Sequence, residues 1–317
     1  MRKSGKNSRL PYMIRSLVRT VAPTAGLRRR LPEVLAEVES RADRDYILAR
    51  VDYYNKLQGT VSLPPDAPTL GDFTLRGNRS AYFFDAHEYT RWFDPSLRWM
   101  YLFGDVTHVP DCPTIVKSRP IRGDNAHSVL LNLDKVRHFT FLRDTIPFTT
   151  KADRAIFRGH IIDKPHRIRF MELYHGHPRV SAGIISPTPQ FPAAWVERPI
   201  TLWDHLTYKY ILAIEGNDVA SNLKWIMSSN SLAVMPRPTY ETWFMEGTLQ
   251  PGVHYVEIAP DYSDLIEQMD YYTAHPAEAE AIITAAHAYI DQFRDPRRER
   301  LISLLVLEKY FEQTDQK

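Results

Sequence analysis

Apolar and polar positions divide the chain into a helical start, a mixed middle and a more regular second half. Met13, Ile14, Leu17, Val18 and Val21 recur at helical spacing, with Arg15 and Arg19 off that face, until Pro23 ends the pattern. Residues 32–58 read as one mixed-charge helix, and the Pro-rich stretch 63–72 reads as a loop. Between 73 and 147 short apolar runs alternate with polar turns, at 81–84, 99–103, 114–116 and 129–131, with 138–142 as a further strand. Beyond Pro147 the pattern sharpens. A strand at 155–157 ends at Arg158 and Gly159, and a strand at 210–214 runs into Glu215-Gly216-Asn217-Asp218. A helix is expected over 219–229 with Asp218 as its N-cap, then strands over 231–235 and 254–258. Helices over 263–273, 276–293 and from Arg297 to about 312 complete the chain. Strand–helix–strand repetition implies βαβ units and a parallel sheet.

The expected fold is α/β, with two domains facing across a cleft. Its divisions are a basic amphipathic segment at 1–30, a first α/β domain at 31–147, a second at 148–295 and a last helix at 296–317 packing back on the first domain.

Charge adds one feature. The 40 basic and 38 acidic residues nearly cancel, to a net +2, so bulk charge selects no partner. Yet Arg2, Lys3, Lys6, Arg9, Arg15, Arg19, Arg28, Arg29 and Arg30 all precede the first acid, Glu33. A short basic amphipathic helix suits an anionic membrane surface, here the cytoplasmic face of the inner membrane. A helix packed on the body with a basic tail is the other reading, and both stay open on sequence alone. No nucleic-acid partner is expected, because the basic residues are confined to one end and no stacking module accompanies them. The single cysteine, Cys112, excludes an internal disulfide and points to a reducing compartment. No apolar run is long enough to span a bilayer and no secretory signal is read, so a cytoplasmic location is expected.

Two places carry chemistry. At the first, a strand delivers Gly216, and a helix start follows with Ser221, Asn222 and Lys224 in its first turns. Orphan backbone donors and the helix dipole would favour an anion there, although many α/β proteins have such a turn with nothing bound. At the second, Asp105 follows the apolar run 99–103 and should sit at a strand end, with His108 close by. An Asp beside a Gly is also an ordinary turn residue. Lys117 and Arg119 read as acceptor-side cleft residues or as solvated surface charges. The Asp43-Arg44-Asp45 triplet has the spacing of a metal-binding acidic pair but lies in a polar helix, and His175 and His177 read as loop residues, so no metal site is expected. Trp195, Trp203 and Trp243 could stack on a sugar but suit a core equally.

Four segments in order resemble glycosyltransferase family 90, which includes bacterial lipopolysaccharide A type proteins, fungal capsule-associated xylosyltransferases and animal protein O-glucosyltransferases. They are 103–110 with 113–119, Ala155-Ile156-Phe157-Arg158-Gly159, 209–236, and 249–256. The likeness covers about residues 100 to 290 and is greatest for the lipopolysaccharide A type.

The resemblance implies a GT-B type fold of two Rossmann-like domains and inverting, metal-independent transfer from a UDP-sugar, with no cofactor. It implies a donor such as UDP-glucose, with xylose or galactose as other sugars, and an acceptor such as lipopolysaccharide core or another glycan. Asp105, in Gly104-Asp105 followed by Val109-Pro110, matches the family's catalytic base, with Gly104 where relatives carry Arg. Arg158 and Gly159 match the donor-site motif, and Arg167 matches a later basic residue, with Arg169 as the alternative. Gly216, Asn217, Asp218, Ser221, Asn222 and Lys224 complete the donor-binding set, Asn222 replacing an Arg of the animal enzymes. A catalytically silent scaffold of the same fold in envelope polysaccharide assembly is the competing expectation.

Overall fold

The computed structural model describes residues 4–76 and 80–316; Arg2 and Lys3 of the basic segment lie outside the described residues. The chain is mixed α/β with parallel sheets, and it divides into two compact units. The N-terminal unit comprises 8–136, 239–247 and 293–316, and the C-terminal unit comprises 137–238 and 248–292 with residues 4–7.

In the N-terminal unit, helices α1 (Arg9–Val21), α2 (Ala25–Ala36), α3 (Arg44–Tyr54) and α4 (Ser80–Thr90) precede a small sheet. Its strands β1 (Tyr101–Leu102), β2 (Thr114–Val116) and β4 (Ser128–Leu130) are parallel in the order β1-β2-β4. Ile115, Val116, Val129 and Leu130 are wholly buried, as expected of parallel strands covered on both faces. β3 (Ser118–Pro120) instead pairs antiparallel with β9 (Tyr240–Thr242), placing Arg119 directly opposite Glu241. The final helix α11 (Pro296–Gln313) also belongs to this unit, and Asp295 caps it by accepting from the Arg297 and Arg298 amides.

The C-terminal unit is built on β5 (Ala152–Gly159), β6 (Val180–Ile184), β7 (Tyr208–Leu212), β8 (Leu232–Met235) and β10 (Val256–Glu257). All pair in parallel, in the order β10-β8-β7-β5-β6. Alternate residues Ala155 and Phe157, Tyr210 and Leu212, and Leu232 and Val234 share one core. Packed into the same core are Phe170 and Met171 of α6 (Pro165–Tyr174), Met269 of α9 (Leu265–Ala274) and Ile282 of α10 (Pro276–Asp291). Ile156, Ile211 and Ala233, pointing the other way, are buried too. Each large aliphatic buried in this way contributes about 1.5–3 kcal/mol. The chain leaves β5 to one side for β6 and returns to the other side for β7. The order therefore reverses between β5 and β7, and ligands of open α/β sheets bind beyond the carboxyl ends of the strands at such a point.

Several expected elements differ. The single helix over 32–58 is broken: after α2 comes a 3-10 turn, Glu37–Ser40, and Arg41 is extended. Arg41 grips Asp43 through two hydrogen bonds of 2.6 and 2.9 Å, which fixes the turn before α3. The run 81–84 is not a strand but part of α4; Tyr82, Phe83 and Phe84 are all buried, so no periodicity marked it as helix. Residues 138–142 form no strand, since His138 closes the short α5 (Lys135–His138). The helix expected over 219–229 shrinks to α8 (Leu223–Met227), with Asn222 rather than Asp218 in the cap position. Asn222 donates from Nδ2 to the Leu212 carbonyl at 2.9 Å, so the chain stays looped beside β7 before turning helical. β6 was not anticipated.

Candidate active site

Asp105 lies just beyond the carboxyl end of β1. Gly104 precedes it at φ +123°, a conformation that glycine adopts freely and a residue with a side chain rarely does. Val106 is buried, and the Ser118 hydroxyl donates to its carbonyl at 3.2 Å. The loop is thus tied to the chain leaving β2. Lys117, between β2 and β3, puts Nζ 2.7 Å from Asp105 Oδ1. The lysine side chain is 2% exposed and the aspartate 27%, so a buried ammonium supports a carboxylate that solvent still reaches. His108 is exposed farther along the same loop.

Arg119 is not a cleft residue. It is wholly buried, with Nε 2.8 Å from Glu241 and its Nη atoms donating to the Tyr53, Tyr54 and Ser128 carbonyls. Tyr53 also donates its hydroxyl to Glu241. These bonds join β3 to β9, which gives Arg119 a structural position rather than an acceptor-side one. Nor is Lys117 a solvated charge: its side chain is buried and its ammonium pairs with Asp105.

The second group stands at the reversal point of the larger sheet. Arg167, on α6, donates from Nε to the Glu215 carbonyl at 2.7 Å, from Nη2 to Ile214 at 2.7 Å and from Nη1 to His160 at 2.8 Å. It therefore ties the chain leaving β5 to the chain leaving β7. Burial pulls its pKa down to about 10, so the charge is costly and the carbonyls stabilise it. Three of its five N–H groups make these bonds. A Cβ on Gly159 would stand 3.3 Å from Arg167 and 2.9 Å from the Phe157 ring, whereas one on Gly216 would meet nothing closer than 3.6 Å. Asn217 is exposed beside them. Sequence reasoning passed over His166, whose Nε2 lies 2.8 Å from the same Glu215 carbonyl; its place beside Arg167 at the start of a helix after a strand was the available sign.

Of the other expected donor residues, Asp218 closes the Gly216 turn by accepting from the Gly216 amide at 3.1 Å, whereas Arg158 lies apart. Arg158 projects from the opposite face of β5, donating to the Ser181 carbonyl and hydroxyl and lying 3.7 Å from Glu197. It lines a separate groove of about 750 Å3 with Lys6, Arg198 and Asp204. Asp218 and Lys224 are buried, and Ser221 and Asn222 are half-buried in the turn before α8. With only five residues, α8 offers no anion-binding start of the kind expected. Arg169 is exposed, 3.9 Å from Glu172.

Asp43 pairs with Arg41 and Arg298, and Asp45 with Arg44. His175 lies 2.8 Å from the Ala194 carbonyl, and His177 accepts from the Arg179 amide. Among the described residues no group of three or more His, Cys, Asp or Glu side chains is arranged to hold a metal ion. Trp243 is core: it stacks on Tyr54 at 3.9 Å and donates to Glu299.

Comparison with known proteins follows the same lines. Residues 134–296 match the model of Glycosyl transferase family 90. The chain is 45% identical over 262 residues to O-glucosyltransferase LpsA of Dichelobacter nodosus, spanning 83% of this chain and 81% of that protein. It is 28% identical to human Protein O-glucosyltransferase 3 over 53% of this chain and 33% of the human one. Protein O-glucosyltransferase 2 of Danio rerio is 29% identical over 28% of this chain and 18% of its own length.

Proposed function

From the premise that this chain belongs to glycosyltransferase family 90, we propose that it transfers glucose from UDP-glucose to a sugar hydroxyl of lipopolysaccharide core or a related surface glycan, with inversion and without a metal ion. The relative similar over most of the chain is named an O-glucosyltransferase, which supports the sugar. The GT-B arrangement belongs to the same proposal.

The observation that carries the mechanism is Asp105 paired with Lys117 at 2.7 Å yet open to solvent. Glycosyl transfer needs a base to take the acceptor's hydroxyl proton as that oxygen attacks the anomeric carbon. The Asp105 carboxylate accepts the proton, and Lys117 orients it and stabilises its negative charge beforehand. As the new C–O bond forms, the bond to the UDP oxygen breaks on the opposite side, and this single displacement inverts the anomeric centre. The departing diphosphate carries growing negative charge, which the Arg167 guanidinium at the Gly216 turn would stabilise.

Asp105→Asn tests the role. Turnover should fall by roughly a hundredfold to ten-thousandfold while UDP binding, followed by calorimetry, is retained. Unchanged turnover would remove Asp105 from the reaction, and unchanged biological function despite lost turnover would favour a scaffold.

A further inference from the structure

Helix α1 is docked by its polar side. The Tyr12 hydroxyl is bonded to Asp85 at 2.9 Å and to the Ala81 carbonyl at 3.1 Å, Ser16 is 2% exposed, and Arg19 pairs with Glu88 at 2.8 Å. Arg91, just beyond α4, reaches back to the Arg19 and Ala22 carbonyls at 2.6 and 3.1 Å. Residues 12, 16 and 19 share one helix face, and they fix α1 to α4.

The apolar side consequently points outward. Leu10, Met13, Ile14, Leu17, Val18 and Val21 occupy the opposite face, and all are exposed: Leu10 by 67%, Val18 by 62% and Val21 by 82%. Isolated exposed apolar residues are ordinary; six on consecutive turns of one helix, held outward by polar contacts behind, are not. Arg9 and Arg15 flank the stripe, both exposed, and Arg28, Arg29 and Arg30 are exposed on α2. No acid occurs before Glu33.

We infer that α1 is an interfacial membrane anchor, whose outward apolar stripe inserts into an anionic lipid surface while its arginines meet the headgroups. Charge complementarity selects this occupant. Embedding Leu10, Ile14 and Val18 removes exposed apolar surface from water, and the flanking guanidiniums bind phosphate-bearing headgroups rather than zwitterionic ones. A folded protein partner for such a stripe would need acidic residues around an apolar groove, and a second copy of this helix would bring arginine against arginine. The inference is independent of the proposed sugar transfer, since it is read by lipid binding.

The full chain is mixed with vesicles of phosphatidylglycerol and phosphatidylcholine, with pure phosphatidylcholine as the control, and sedimented. Binding to the anionic vesicles should exceed the control by about tenfold or more and weaken steeply at about 0.5 M salt. Ile14→Glu with Val18→Glu should cost about tenfold or more in vesicle affinity, with melting temperature and UDP binding unchanged because both positions face solvent. Arg15→Glu, which spares the stripe, should reduce the binding and its salt dependence together. Wild-type protein that ignores anionic vesicles, or binding that the paired substitution leaves intact, would overturn the inference. So would a wild-type dimer in light scattering that the paired substitution converts to monomer, since the stripe would then be covered by a second copy.

Discussion

Gly159 and Gly216 both border the Arg167 guanidinium, and the space around each predicts different consequences for one added methyl group. On Gly159 the methyl would press against Phe157 and Arg167, in a core with no slack. Gly159→Ala should destabilise the protein by about 1–3 kcal/mol in thermal or denaturant unfolding. On Gly216 the methyl meets only ordinary contacts of 3.6 and 3.7 Å, so Gly216→Ala should unfold as wild type does. If the turn is where a diphosphate approaches the backbone, UDP affinity should nonetheless fall by about tenfold. Equal UDP affinity in wild type and Gly216→Ala would move the donor elsewhere. Arg119 belongs to the opposite category from Lys117, although the two are neighbours in sequence. Its pairing with Glu241 stabilises β3 against β9, and breaking one partner of such a buried pair costs about 3–5 kcal/mol.

Helix α4 holds two titrating groups whose effects on stability run in opposite directions with pH. Asp85 is fully buried, and desolvation pushes its pKa up to about 6 despite Lys135 and the Tyr12 hydroxyl. The folded state therefore holds this proton more tightly than the unfolded chain. The associated stability is complete below about 4 and is lost as pH rises through about 6. His87, stacked on Phe83 at 5.3 Å, is pulled down to about 4 by burial, with Arg91 and Arg19 adding to the effect. Its contribution is complete above about 6.5 and is lost as pH falls through about 4. Relative to wild type, Asp85→Asn should gain stability as pH is raised from about 4 to 6, and His87→Gln should gain as pH is lowered from about 6.5 to 4. Urea midpoints across that range measure both, and parallel profiles for all three proteins would contradict the assignment. Elements were legible in the sequence where a pattern had one interpretation. The strands around Ile115, Val129, Tyr210 and Val234 are short apolar runs between turns, and α1 and α11 carry caps or breaks at their ends. Legibility failed where successive apolar residues are all buried, as Tyr82, Phe83 and Phe84 are in α4, and where a side chain competes with the backbone, as Asn222 does before α8. Helical spacing showed that α1 has an apolar face; it could not show that the polar face is the one packed.

Across the whole molecule, the residues assigned to donor binding and to proton removal fall in different units. Arg167 and Gly216 belong to the C-terminal unit, and Asp105 and Lys117 to the N-terminal one. The residue types at both places were readable from motifs, but their relations were not. Lys117 reaches Asp105 across twelve positions, and Arg167 grips carbonyls more than forty positions away. Such long-range pairs leave no local pattern. Among the described residues no helix is long and apolar enough to cross a membrane. The central claim is that the chain turns over a UDP-sugar without a metal ion, and UDP release by purified protein in EDTA across UDP-glucose, UDP-galactose and UDP-xylose tests it most directly. The account predicts slow acceptor-independent release from UDP-glucose in preference to the others, abolished by Asp105→Asn. No release from any of the three, together with no UDP binding by calorimetry, would contradict it.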